Sequence, residues 1–80
     1  MRIRYFAGAA EAAGVDEETL DADFEVTVAE LIEQLSADRE RLAKVFAVSS
    51  VLVDGRAARS RTEYVPPNAQ VDVLPPFAGG

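Results

Sequence analysis

Eighty residues, 49% of them hydrophobic and 28% charged, suit one small globular domain. A chain this short buries only about 60% of its unfolded surface, which leaves little room for an enclosed active site. It has no cysteine and no histidine, which removes thiolate nucleophiles, persulfide relays, iron–sulfur clusters, thiolate zinc sites and Ser-His or Cys-His pairs; the net charge of −6 argues against nucleic acid as the main partner.

In chain order, RIRYFAG alternates. Ile3 and Tyr5 share one side with Ala7, and Arg2, Arg4 and Phe6 share the other, so the segment predicts a half-buried strand with Ile3 and Tyr5 inward. This opening has neither the apolar region nor the cleavage site of a secretory signal. No run approaches the roughly 18 apolar residues of a membrane span. The expected location is therefore the cytoplasm, with no membrane partner. AAEAAG, closed by Gly14, predicts a short helical turn and its stop. VDEETLDADFEV is acidic and reads as a second strand with a loop.

TVAE is a capping box, with Thr27 at the N-cap and Glu30 three residues on. Val28, Leu31, Ile32 and Leu35 follow with the spacing of one apolar helix face. Ser36-Ala37-Asp38 interrupts that helix. DRERLAKVFA then puts Leu42, Val45 and Phe46 on one side, with Glu40 and Lys44 spaced to pair on the other.

Val51-Leu52-Val53 predicts a strand, and Asp54-Gly55 is a strong two-residue hairpin signal. Arg56, Arg59 and Arg61 mark an exposed return strand or its loop. VPPNAQ must turn, because consecutive prolines cannot donate to a ladder. VDVL is the last strand, with Val71 and Val73 on one side and Asp72 and Leu74 on the other. The order strand, strand, helix, strand, strand, strand describes an α+β roll in which one helix crosses a mixed sheet. Residues 1–80 form one domain in this reading, without linkers or repeats. No metal-binding motif is present.

Two apolar residues fall on the polar side of their strands. Phe6 shares a side with Arg2 and Arg4, and Leu74 shares one with Asp72. Phe77, beyond the last strand, also lacks an evident core slot. Gathered at one end of a sheet, such residues would form a docking patch. That requires the first and last strands to be neighbours.

The sequence closes on LPPFAGG. Pro75 and Pro76 fix φ and stiffen the exit, and Gly79 and Gly80 lack the Cβ that would keep a backbone out of a narrow channel. The segment 75–80 can extend roughly 20 Å. It suits a stiff base carrying a slim probe whose reactive end is the Gly80 carboxylate. An ionised carboxylate is a poor electrophile and needs activation, typically as an acyl-adenylate. No phosphate-cradling loop is present, so activation falls to another protein.

RYFA…EAAG, TVAELIEQL, VLVDG and VDVLPPFAGG together cover nearly the whole chain. With them the chain resembles the small sulfur-carrier subunit of molybdopterin synthase (MoaD type), within the MoaD/ThiS group of β-grasp, ubiquitin-like proteins. The resemblance implies a β-grasp roll of about five strands, one main helix and short helices. It implies that an E1-like adenylating enzyme activates Gly80 with ATP, and that a sulfur donor enzyme converts it to a thiocarboxylate. The tail then enters the large catalytic subunit of molybdopterin synthase, in a heterotetramer, and gives its sulfur to cyclic pyranopterin monophosphate. The small subunit itself is non-catalytic and binds no cofactor. Gly79 and Gly80 match the family's tail, and Phe6 and Leu74 match its docking patch. The resemblance also implies that Pro75, Pro76 and Phe77 line the exit and, with Ala78, bind the partner. Two positions depart from the family pattern: Ala10, where an arginine is common before the glutamate, and Asp54, where asparagine is. Three other readings stand beside this one. The thiocarboxylate could serve cysteine, thiamine or another metabolite. Gly80 could be joined to lysines of target proteins. The domain could be a plain binding module with an inert tail.

Overall fold

The alternation of the opening residues becomes β1 (Arg2–Tyr5), with Ile3 and Tyr5 buried and Arg2 and Arg4 turned outward. The computed structural model describes residues 1–76. α1 (Gly8–Ala13) stops at Gly14, whose φ of 82° is the left-handed conformation that costs glycine no steric strain.

The acidic stretch holds two strands where one was expected. β2 (Glu17–Thr19) runs antiparallel to β1, whereas β3 (Val26–Thr27) pairs with β6 (Tyr64–Val65) in a separate two-stranded sheet. Two-residue strands carry too little alternation to read in sequence; only the distant partner defines them.

α2 (Val28–Ser36) begins at the capping box. Thr27 Oγ1 accepts the Glu30 N–H at 3.1 Å, and Glu30 Oε1 accepts the Thr27 N–H at 2.8 Å. Val28, Leu31 and Leu35 are buried. α3 (Glu40–Phe46) packs against α1 and α2 and buries Leu42 and Phe46. The expected Glu40–Lys44 ion pair is not among those of the described residues. Two long exposed side chains gain too little from pairing in water to hold one geometry.

β4 (Ser50–Val53) turns into β5 (Arg56–Ala57) through Asp54 and Gly55, both at positive φ, 50° and 84°. These are the dihedrals of a hairpin turn that matches strand twist. The arginine-rich return strand ends after Ala57, with Arg59 and Arg61 in the loop beyond. β7 (Gln70–Leu74) is the centre of the main sheet, whose order is β2-β1-β7-β4-β5. It runs parallel to β1 and antiparallel to β4. Ile3, Tyr5, Val51, Val53, Val71 and Val73 face the helices and share one core with Leu31, Leu35, Leu42 and Phe46. The architecture is thus an α+β roll with a five-stranded mixed sheet, one main helix and two shorter ones.

One polar network ties the sheet edge to the helical layer. The buried Tyr5 hydroxyl donates to Glu18 Oε2 at 2.6 Å, and Arg39 donates to both Glu18 oxygens at 2.6 and 3.2 Å. The Arg39 hydrogen bonds hold the Glu18 carboxyl below the usual glutamate range. Burial, then the bond to Glu18, pushes the Tyr5 phenol up. Among the described residues, no helix is long and apolar enough to cross a membrane.

Candidate functional site

The parallel β1–β7 pairing sets Arg2 opposite Gln70, Arg4 opposite Asp72 and Tyr5 opposite Val73. Side chains alternate across a strand, so Arg2, Arg4 and Phe6 share the outer face with Gln70, Asp72 and Leu74. The Phe6 N–H donates to Val73 O at 3.2 Å and extends the ladder one residue past β1. Phe6 therefore stands beside Leu74. In this parallel register the next bond would come from the N–H of residue 75, which is a proline and has none. The Phe6 carbonyl instead accepts the Ala9 N–H at 3.0 Å, at the start of α1. Pairing ends there on both strands: Ala7, at φ 49° and ψ −126°, turns one chain into α1, and Pro75 leads the other away.

Phe6 is exposed, Leu74 and Pro75 are half-buried, and Pro76 is exposed in a turn. Phe77, Ala78, Gly79 and Gly80 lie outside the described residues. The first and last strands, whose adjacency the sequence left open, are neighbours, and their ends bring Phe6, Leu74 and Pro75 together.

Asp72 differs from its expected exposure. It faces away from the core as its parity requires, yet it is only 7% exposed. Arg4 covers it, with Nε on Oδ1 at 2.8 Å and Nη2 on Oδ2 at 3.1 Å, and the Gln70 side-chain amide adds a bond at 3.1 Å. The Arg4 hydrogen bonds hold the Asp72 carboxyl below the usual aspartate range against the opposing effect of burial. The Arg4 guanidinium carbon also lies 5.5 Å from the centre of the Phe6 ring, within cation–π range. One side chain thus neutralises the carboxylate and braces the aromatic ring.

Sequence reasoning missed Leu52 and Ala57 on this face. Leu52 lies opposite Asp72 and Ala57 lies opposite Leu52. Leu52 alternates with the buried Val51 and Val53, a signal visible in the sequence but masked because all three residues are apolar. Of the two departures, Ala10 is half-buried in α1. Asp54 has a structural role: its Oδ1 accepts the Gln70 N–H at 2.9 Å, and its own N–H donates to Gln70 O at 2.8 Å. It caps the start of β7, which an asparagine oxygen would do equally well.

Among the described residues, the two carboxylates of this face are both engaged by arginines, Asp72 by Arg4 and Glu17, opposite Arg4 in the β1–β2 register, by Arg2 at 2.9 Å. Among the described residues no group of three or more metal-ligating side chains occurs. The arrangement offers a small apolar patch, Phe6 with Leu74 and Pro75, at the end of the strand that leads to Pro76.

The ThiS family model matches residues 3–80 of this chain. Among solved structures, SAMP1 from Haloferax volcanii is 28% identical, covers 100% of this chain and 98% of its own, and superposes with a TM-score of 0.81. A Pyrococcus furiosus protein described as molybdopterin converting factor, subunit 1, is 29% identical over 94% of each chain, with a TM-score of 0.80. The HVO 2177 protein of Haloferax volcanii is 26% identical over 99% of this chain and 84% of its own, with a TM-score of 0.79. No curated protein sequence matches the chain.

Proposed function

We propose that this chain, which belongs to the ThiS family, carries sulfur as a thiocarboxylate on Gly80 and delivers it to molybdopterin synthesis. Its fold is the β-grasp, ubiquitin-like roll of its structural neighbours, and the small proteins of this family are carriers or modifiers rather than catalysts. The observation that carries the proposal is that the family match runs through residue 80 and so includes Gly79-Gly80. The Pyrococcus furiosus neighbour supports the molybdopterin pathway.

In the proposed reaction the Gly80 carboxylate attacks the α-phosphorus of ATP on an E1-like adenylating enzyme, releasing pyrophosphate. A sulfur donor enzyme then delivers sulfide-level sulfur (HS⁻), which attacks the acyl carbon; the C–O bond to AMP breaks, AMP and a proton leave, and –C(=O)S⁻ remains. The face around Phe6 and Leu74 docks first on the activating enzyme and later on the large synthase subunit. Pro75 and Pro76 keep the tail projecting from the docked face. The sulfur then passes to cyclic pyranopterin monophosphate. This chain contributes position and the carrier atom, and its partners contribute all catalysis. The proposed setting is the cytoplasm.

A second reading has a specific observation behind it. SAMP1, a small archaeal modifier protein, resembles this chain along its whole length. Activation is identical in that reading, but the acyl group is joined to a lysine of a target.

Mass spectrometry of the chain, incubated with an adenylating enzyme, ATP and a sulfur donor, tests the proposal. The expected result is the gain of one sulfur for one oxygen, localised to the C-terminal peptide and so distinct from oxidation of Met1. Full activity in a variant with one residue added after Gly80 would refute the tail chemistry. Conjugates of higher mass that vanish when Gly80 is deleted would favour the modifier.

A further inference from the structure

A second feature lies on the opposite side of β4 from the docking face. Between α2, the end of α3, the start of β4 and the loop after β5 is a pocket of about 260 Å³. Its apolar wall is Val28, Ile32, Phe46 and Val51, and its polar rim includes Ser49, Ser50, Ser60, Arg59 and Arg61. Among the described residues, no acidic side chain lines it.

Among the described residues, Arg2, Arg4, Arg39 and Arg56 each have a carboxylate within 4 Å; Arg59 and Arg61, side by side on the pocket rim, do not, and neither does Arg41 on α3. The nearby acid, Glu63, is held by Arg56 Nη2 at 2.7 Å and by the backbone N–H of Arg59 at 3.2 Å. In a chain of net charge −6, two free guanidiniums beside one pocket are a local reversal of sign. Guanidinium groups recognise carboxylate and phosphate oxygens through paired N–H donors. The serines add hydroxyls: Ser49 Oγ donates to Val45 O at 2.6 Å, which leaves its lone pairs free to accept, and Ser50 Oγ has no partner among the described residues.

From this arrangement we infer that the pocket binds a small organic oxyanion, an aryl phosphate or aryl carboxylate. The ring lies on Val28, Ile32, Phe46 and Val51, and the anion meets Arg59, Arg61 and the rim hydroxyls. The volume is just under the usual range for ligand sites, so the ligand is limited to roughly ten heavy atoms. Ser50, on the rim, stands opposite Leu74 in the β4–β7 register. The pocket therefore opens at the end of the sheet from which the chain leaves β7. It does not depend on the carrier reading.

Phenyl phosphate, benzoate, inorganic phosphate and benzyl alcohol, titrated separately into the intact chain and followed by amide NMR shifts, test the inference. Phenyl phosphate or benzoate is expected to move the signals of Ser49, Ser50 and residues 57–61 with dissociation constants on the order of millimolar. The ring contact is expected to make the better of the two bind about tenfold tighter than inorganic phosphate. Whichever binds tighter identifies the source as phosphate or carboxylate. The double variant Arg59→Ala/Arg61→Ala is expected to weaken binding at least about tenfold. Arg41→Ala/Lys44→Ala removes the same charge away from the pocket and is expected to leave binding unchanged. The inference is overturned if neither aryl anion shifts the pocket signals, if the two double variants behave alike, or if benzyl alcohol binds as tightly as the anions.

Discussion

Arg4 and Asp72, 68 positions apart in sequence, meet across the parallel β1–β7 pair in a two-point contact of 2.8 and 3.1 Å. The contact shields a carboxylate on the central strand and fixes the guanidinium beside the Phe6 ring. Asp72→Asn is expected to cost about 1–2 kcal/mol at pH 7, since a charge-assisted hydrogen bond is replaced by a neutral one. Arg4→Met is expected to be at least as damaging, because it leaves the carboxylate covered but unpaired. The Asp72 pKa is depressed in the fold, so its contribution is present above the unfolded value of about 3.9 and is lost as pH falls through the folded value. Urea denaturation at neutral pH and near pH 2 checks this: the gap between wild type and Asp72→Asn should close in acid.

The proposed docking role of Phe6 and Leu74 makes a separate prediction, about binding. Phe6→Asp and Leu74→Asp are expected to change the unfolding free energy by no more than about 1 kcal/mol, because neither side chain is part of the buried core. Both are expected to weaken association with the two proposed partners, the adenylating enzyme and the large synthase subunit, at least about tenfold, as a charge placed at the centre of an apolar contact does. Calorimetric titration with each partner reads the outcome. Unchanged affinity for both would leave the face without a role.

The Tyr5–Glu18–Arg39 network predicts pH dependence at both extremes. Glu18 has a depressed pKa, so its contribution disappears as pH falls below about 4. Tyr5 has a raised pKa, so its contribution is complete below the unfolded phenol value of about 10 and is lost as pH rises through the folded value. Glu18→Gln is expected to cost about 1 kcal/mol at pH 7 and to flatten the acid limb. Tyr5→Phe is expected to flatten the alkaline limb. Thermal unfolding across the pH range separates the two.

Ala7 carries backbone strain at the turn between the Phe6 face and α1. Its φ of 49° with ψ of −126° is a region that glycine enters freely and alanine does not. Ala7→Gly is expected to stabilise the fold by about 1 kcal/mol, the relieved strain outweighing the added freedom of the unfolded chain. A lower denaturation midpoint in this variant would show that the turn is held by something other than its dihedrals.

How much of this was legible beforehand depended on distance along the chain. The Thr27–Glu30 capping box, the stop at Gly14 and the Asp54-Gly55 turn are written within a few residues, because hydrogen bonds and dihedral preferences act locally. The inward sides of β1 and β7 follow from alternation, and the strong periods of α2 and α3 placed their buried faces. The resemblance carried by RYFA…EAAG and LPPFAGG led to the ThiS family.

What the sequence left undetermined was every statement that needs a partner from elsewhere in the chain. The small β3–β6 sheet, the burial of Asp72 beneath Arg4 and the tie between Tyr5, Glu18 and Arg39 are contacts between distant segments. A polar residue's environment is set by what packs over it, and neither period nor propensity records that. Residue parity flagged Phe6 and Leu74, but only the parallel register put them side by side, with Pro75 closing the ladder at that point. Composition and local pattern therefore determined the longer elements and pointed to the family. Tertiary structure decided that the first and last strands are neighbours, and so that Phe6 and Leu74 meet at one end of the sheet, because strand pairing joins segments that no local pattern relates.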